Sequence, residues 1–592
     1  MKRAIFAVAM ATLVGCDCFY QPVKTYTESA DPAPLSEQSL AAWENTAKGL
    51  HAAWGSADLQ YSRSEVPALD QTQSLSLCGW RGEKVSAQLL LWSAEGENGV
   101  ECHVKGFNSV EASLPAEIAQ TRFVRYTLGD KRHPNCLCAR SVRHEPALEA
   151  DMLDTLDRYD IPARTTRPVW VTIDIPADAT AGTYQSKVVV SHQGFGRIVL
   201  PFELKVIDQV VDEPSQWQYH LDLWQHPAAV ARMHGVPCWS DEHFELMRKE
   251  FAPLVAAGQK VITATLNRDP WRYQCFDDYE PMIIWTLNAD SSWSYDYTLF
   301  DRWVEFMHSL GITRSINCYS MLPWGDCELD YFDAKHERNR TVKAIPGTPA
   351  FEKMWAPFLA DFSKHLEQKG WLHKTNIAID ERSPEDMQAA ARLIAQYAPA
   401  LSFAIADNHD SYKLFANMRD VCVGQKHTIA CHQDILDRRA KGFYTTFYIC
   451  CSTHYPNAFT YSDPYEAELL GWYGVAHDYD GMLRWAYNSW PAAPHIDSRF
   501  RLWASGDTFF VYPHARTTMR FERLVDGIEV AEKVRKLRRL YGADNEALAP
   551  IEAVLEQIRN SNVNDPAQPW AEFLTTANKT LNEVAEKLAA TK

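Results

Sequence analysis

The run Thr375-Asn376-Ile377-Ala378-Ile379-Asp380-Glu381-Arg382-Ser383-Pro384-Glu385-Asp386 decides how the chain is read, because a short apolar stretch ends in two adjacent carboxylates and then in a helix start. Ile377 and Ile379 are β-branched and suit a buried strand. Ser383 as cap, Pro384 at the first helical position and acids in the first turn announce a helix. Asp380 and Glu381 therefore sit in a strand-to-helix loop. In barrels of alternating strands and helices that face carries the active site, and paired carboxylates are what glycoside and other acid–base hydrolyses need.

On either side of this run the chain alternates strand and helix. The candidate strands are 217–224, 259–267, 312–321, 375–380, 401–407, 420–424, 443–450 and 481–488, with amphipathic segments such as Glu242 to Ala257, Leu299 to Leu310, Phe351 to Gln368 and Tyr465 to Ala476 between most of them. Upstream, from Ser74 to Ile207, short alternating runs are separated by turn signals such as Pro176-Ala177-Asp178-Ala179. The residues from about Ser36 to Gly55 read as helix, and 322–348 as a long charged loop. The expected architecture is multidomain: an N-terminal β-sandwich followed by a (β/α)8 TIM-type barrel with extra C-terminal helices, a doubly wound sheet being the alternative to the barrel. The expected bounds are 1–16 for a leader, 17–207 for the sandwich, 216–540 for the barrel and 541–592 for the helical extension.

Composition restricts the partners. The formal net charge of −17 over 592 residues, with no basic stripe, argues against nucleic acid. Lys2 and Arg3 precede an apolar run from Ala4 to Val14 that is too short to span a bilayer and has the layout of a secretory signal. It ends in Leu13-Val14-Gly15-Cys16, which resembles the lipobox of bacterial lipoproteins and implies lipid attachment at Cys16, hence an exported chain held at a membrane by a lipid anchor. The other cysteines lack paired zinc spacing and read mostly as buried free thiols. No metal and no organic cofactor is expected.

Polar and aromatic residues gather at the predicted strand ends. They include His220, Asp222 and Trp224; Asn267, Asp269 and Trp271; Tyr319 and Trp324; Asp407 and Asn408; Tyr448 and His454; and Trp485, Asn488 and Trp490. Such a rim suits a carbohydrate, since aromatic faces pack on the apolar face of a pyranose while Asn, His and Asp bind its hydroxyls. Asn408 belongs equally to a helix-start turn, and His220 equally to a structural hydrogen bond. The two acids pose a geometric problem. Neighbouring side chains on a strand point to opposite faces, so Asp380 and Glu381 converge only if the strand has ended and the loop turns there. An adjacent pair does not supply an attacking carboxylate across the sugar from the acid; it fits substrate-assisted hydrolysis, in which a 2-acetamido oxygen attacks the anomeric carbon.

The segment Ile377-Ala378-Ile379-Asp380-Glu381, the sandwich-then-barrel order, and the late run Gly481-Met482-Leu483-Arg484-Trp485-Ala486-Tyr487-Asn488-Ser489-Trp490 followed by Trp503-Ala504-Ser505-Gly506-Asp507 and Tyr512-Pro513 together resemble glycoside hydrolase family 123. The resemblance implies a retaining exo-β-N-acetylgalactosaminidase. It assigns Asp380 to the acetamido nitrogen and the oxazolinium intermediate, and Glu381 to general acid and then general base. The tyrosine that meets the acetamido oxygen is Tyr448 by position, with Tyr444 and Tyr455 open. A β-N-acetylglucosaminidase or other β-glycosidase on the same fold, and a non-catalytic glycan-binding surface lipoprotein, are the alternatives.

Overall fold

The computed structural model describes residues 28–130, 145–193, 196–407, 411–415, 417–426 and 432–590. The N-terminal part is β-rich. One sheet orders His51–Gly55, Lys84–Ser93, Thr165–Asp174, Ala119–Asp130 and Pro146–Leu153; a second contains Leu75–Arg81, Arg197–Val210, Gly182–Ser191, Glu97–Val104 and Tyr159–Ile161. Alternate residues of both sheets, among them Leu89, Val171, Val188 and Phe202, share one apolar core. The helix expected from Ser36 to Gly55 stops early. It runs over Glu37–Glu44, and the β-branch-free but apolar His51–Gly55 pairs antiparallel with the Lys84–Ser93 strand instead.

All eight strands expected after residue 215 are present, in parallel, in one nearly closed barrel: β1 His220–Leu223, β2 Val261–Thr265, β3 Ser315–Tyr319, β4 Thr375–Asp380, β5 Ser402–Asp407, β6 Met418–Gly424, β7 Tyr444–Tyr448 and β8 Gly481–Arg484. Direct ladders join every neighbouring pair except β1 and β2. There one backbone bond, Lys260 N–H to the Leu221 carbonyl at 3.0 Å, is supplemented by two buried glutamine amides. Gln259 accepts from Leu223 N–H and donates to the Leu223 and Val261 carbonyls, while Gln225 accepts from Thr263 N–H. Side chains thus satisfy the backbone groups that a ladder would have paired.

Strand alternation separates two environments. On β4 and β5, Ile377, Ile379, Phe403 and Ile405 face outward into the main core, whereas Ala378, Ala404 and Ala406 join an inward cluster with Trp224, Trp271, Tyr319 and Tyr448. Small inward residues leave room at the barrel mouth. The helix predicted after the acids is Pro384–Tyr397, and Ser383 Oγ accepts from Asp386 N–H at 3.2 Å as its cap. Helices Pro464–Ala476 and Met519–Tyr541 cross at glycines. A Cβ on Gly471 would stand 2.1 Å from the Gly527 carbonyl oxygen, so neither position tolerates a side chain.

Met519–Tyr541 also ties the barrel to the β-rich part through ion pairs, two of them buried, Arg520 with Asp151 (3.0 Å) and Lys533 with Glu83 (2.6 Å), and the others partly buried, Glu522 with Lys84 (3.3 Å) and Arg122 (3.1 Å) and Arg523 with Asp58 (2.5 Å). The segment 322–348 departs from the expected loop. Glu328–Asp333 and Arg338–Lys343 form a hairpin in a four-stranded sheet with Ile284–Leu287 and Trp293–Asp296; Asp330, Arg338 and Lys343 occupy exposed strand positions, while Asp333 is buried. C-terminal helices Ala549–Asn560 and Trp570–Ala589 pack against each other and against Pro464–Ala476. No helix among the described residues is long and apolar enough to cross a membrane. Cys16 lies outside the described residues.

Candidate active site

The strand β4 ends at Asp380, and Glu381 turns sharply, with φ of +44° in the left-handed region. A residue with a Cβ costs about 1–2 kcal/mol there, held in this case by the Glu381 N–H donating to the Ala406 carbonyl at 2.9 Å. The turn does what the sequence required of it. It breaks the strand alternation, so both carboxylates line one cavity of about 790 Å³ at the strand C-termini, with Trp271, Trp324, Tyr448, Trp485, Trp503 and Asp507 among its walls.

Asp380 is fixed by two indoles. Trp271 Nε1–H donates to its Oδ2 at 3.1 Å and Trp324 Nε1–H to the same oxygen at 2.8 Å. Burial, and then the neighbouring Glu381 charge, push the Asp380 carboxyl up to about 6, against the lowering effect of the two indoles and of Arg382. Tyr448 donates its hydroxyl to Glu381 Oε1. Burial and that carboxylate raise the phenol far above its ordinary range, so it stays a donor. Asp507, the third acid in the cavity wall, is bound at Oδ1 by Arg484 (2.8 Å) and at Oδ2 by the Trp485 indole (3.3 Å). Burial raises its carboxyl, with Arg484 opposing.

The predicted rim divides into three groups. Asp380, Glu381, Trp271, Trp324, Tyr448 and Trp485 meet at the cavity. Trp271, however, is only 1% exposed and packs on Trp224, Tyr279 and Tyr319, so it acts as a donor to Asp380 and not as an open platform. Trp324 has Arg382 over its ring at 4.5 Å. The indole pair Trp485 and Trp503, edge to face at 5.8 Å, is the aromatic wall. Asn267 lies in an adjoining cleft of about 610 Å³, where its amide exchanges two hydrogen bonds with the Asp330 backbone and pins the hairpin. His220, Asn488 and Trp490 are corrections. His220 opens β1 at the other end of the barrel, bonded to Asp420 at 3.0 Å and stacked on Tyr444. Asn488 is fully buried and bonds both backbone groups of His226; Trp490 is fully buried with its indole on the Val511 carbonyl. All three are polar or aromatic residues that the core uses for itself. Asn408 lies outside the described residues. Of the tyrosines left open, Tyr444 is at the far end and Tyr455 is buried with its hydroxyl near that of Tyr465, which leaves Tyr448 in the cavity.

Arg272, Tyr273 and Asp507 also line the cavity and were not among the predicted site residues. Asp507 stood in the quoted Gly506-Asp507 pair, a usable signal; Arg272 and Tyr273 lie in an irregular loop with φ of +25° and +66°, where no periodicity marks them.

The family model for the glycoside hydrolase 123 catalytic domain matches residues 224–537, and that for the glycoside hydrolase 123 N-terminal domain matches 54–192. The chain belongs to glycoside hydrolase family 123. Its fold matches that of a family 123 glycoside hydrolase from Clostridium perfringens, described for glycolipid glycan hydrolysis, with a TM-score of 0.82 over 92% of this chain and 98% of that one at 23% identity. A Bacteroides ovatus GH5 xyloglucanase (TM-score 0.28, 9% identity, 78% of this chain and 99% of that one) is too distant in shape to carry an argument. No curated protein matches the chain in sequence. Membership of family 123 makes the chain a glycosidase acting on carbohydrate.

Proposed function

We propose that this family 123 glycosidase is a retaining exo-enzyme that releases terminal β-linked N-acetylgalactosamine by acetamido participation on a barrel of the (β/α)8 TIM type. Its substrates are glycans or glycolipids; glycolipid glycans are what the C. perfringens enzyme hydrolyses. The observation that carries the reading is the turn at Glu381, which sets two adjacent acids on one cavity wall while the remaining acid, Asp507, is engaged by Arg484 and Trp485. Among the described residues that line the cavity no unengaged carboxylate stands apart from the pair, which supports the substrate's own acetamido oxygen as the nucleophile.

Asp380, ionised above about pH 6, accepts the acetamido N–H and offsets the positive charge of the oxazolinium. Glu381 protonates the leaving oxygen and then takes a proton from the attacking water. Tyr448, bonded to Glu381 in the unliganded protein, donates to the acetamido oxygen when substrate is bound. The sugar stacks on Trp485, and the leaving group extends into the cleft shared by Arg272, Tyr273 and Trp324. Leu13-Val14-Gly15-Cys16 supports export and a lipid tether on Cys16, tested by loss of lipid labelling in Cys16→Ser.

The test uses the chain lacking residues 1–16 with aryl β-N-acetylgalactosaminide, its gluco epimer and the plain β-galactoside. Turnover of the first alone is expected, and Glu381→Gln should lose about a hundredfold or more on poor leaving groups and less on activated ones. Turnover of the plain galactoside would sink acetamido participation. Silence on all three with sugar binding intact would favour the glycan-binding alternative.

A further inference from the structure

We propose that His234, Glu250 and His514 form a binding site for a divalent transition-metal ion of zinc type, separate from the sugar cavity. His234 ends helix Pro227–His234, Glu250 ends helix Asp241–Glu250, and His514 belongs to the segment between β8 and helix Met519–Tyr541. Two consecutive helices and one segment far downstream thus bring two imidazoles and a carboxylate together, with one ligand atom of each within 4.8 Å of the others. None of the three lines the sugar cavity.

The carboxylate is oriented in advance. Glu250 is buried; its Oε1 accepts the His514 N–H at 2.7 Å and its Oε2 the Ala515 N–H at 2.8 Å. Both donors are in the left-handed region, with φ of 68° and 55°, a conformation that turns consecutive N–H groups onto one acceptor. Backbone support of this kind is the outer shell that holds a ligating carboxylate in place. The His234 Nε2 stands 2.7 Å from Glu250 Oε1, and the two imidazoles meet edge to face at 4.8 Å between centroids. An ion at about 2.0–2.1 Å from each ligand atom in tetrahedral geometry sets those atoms about 3.4 Å apart, so side-chain adjustments of up to about 1.5 Å, closing the wider separations and opening the His234–Glu250 pair, bring the set onto a metal.

Two histidines and a glutamate leaving an open coordination position suit zinc, and the imidazoles disfavour magnesium and calcium, which prefer oxygen throughout. The consequence is mechanical. Such an ion fastens the segment that carries Trp503 and Asp507 to the two helices following β1, and so steadies the aromatic wall of the cavity from behind.

The experiment takes the chain from residue 17 onward, strips it with chelator, and titrates Zn²⁺ against a chromophoric competitor, with Co²⁺ absorption as a second readout. One equivalent of Zn²⁺ is expected to bind, weakened at least about tenfold by His234→Gln and by His514→Gln, and left unchanged by His336→Gln, whose exposed imidazole pairs with buried Asp333 in the hairpin. Co²⁺ should give ligand-field bands that the first two substitutions abolish. Zn²⁺ affinity equal in all four proteins, or no stoichiometric binding by the unmodified chain, overturns the proposal. If both histidine variants fail to fold, the Co²⁺ spectrum of the unmodified chain decides: bands of nitrogen-ligated low-symmetry cobalt support the site, and their absence refutes it.

Discussion

Asp380→Asn should make the protein more stable while ending catalysis. Burial and Glu381 raise the Asp380 carboxyl from 3.8 to about 6, so in the window between those values the folded chain holds a proton that the unfolded chain has released. Stability therefore falls as pH rises through this window and is lower by a fixed amount above it. At about 1.36 kcal/mol per pH unit the penalty is on the order of 3 kcal/mol. Asparagine removes the charge but keeps the geometry, because both indoles donate to a single oxygen, which the amide oxygen can replace. Denaturant titrations of the two proteins across a pH series are the assay. The variant should gain up to about 3 kcal/mol at about pH 8, and the gain should vanish below about pH 4. A variant no more stable than the parent at pH 8, or a gain that ignores pH, would refute the account of a desolvated, ionised Asp380.

Three further outcomes follow from the same interactions. Trp324→Phe removes one N–H bond to a charged oxygen, about 1.5–3 kcal/mol, and should move the acidic limb of the pH–kcat/KM profile up by about 1–2 pH units; an unmoved limb would show that the limb does not report Asp380. Arg523→Met leaves Asp58, Glu468 and Asp526 facing one another without their cation and should cost about 3–5 kcal/mol in denaturant unfolding, whereas a loss under 1 kcal/mol would deny this residue its part in joining the barrel to the β-rich region. Gln259→Leu should destabilise by about 1–3 kcal/mol and speed amide exchange at Leu223; unchanged exchange there would mean that the seam does not depend on the side chain.

The barrel was legible because its strands are short, buried and punctuated: Ile377 and Ile379 before Ser383-Pro384 mark both the strand and its end, and the left-handed Glu381 was foreseeable from the need of two adjacent acids to share a site. What was not legible depends on tertiary context. A rim residue and a core residue look alike in sequence when both are Trp, His or Asn; only the fold shows that Trp490 and Asn488 hold the late segment together while Trp485 opens on the cavity. His220 was misplaced because a residue that begins a strand was counted with those that end one. The hairpin within 322–348 was hidden because charged residues take half of its strand positions, buried Asp333 among them, leaving few apolar residues to betray the alternation. The eight-stranded count survived these errors, since each depended on side-chain destination and not on strand existence.

The seam between β1 and β2 has a consequence for the mouth. Strands in a direct ladder are held about 4.7–4.9 Å apart. At Leu221 that contact persists, but one step nearer the mouth the strands are bridged by glutamine side chains, whose reach exceeds that of a single N–H to carbonyl bond. The ladder there is therefore carried by side chains in place of backbone pairs. Trp224, directly after β1, and Trp271, in the loop after β2, meet beyond this seam with indole centroids 4.6 Å apart, and Trp271 reaches Asp380. Two amides placed in an otherwise regular wall thus take over the backbone pairing beside the indoles, one of which holds Asp380 in place.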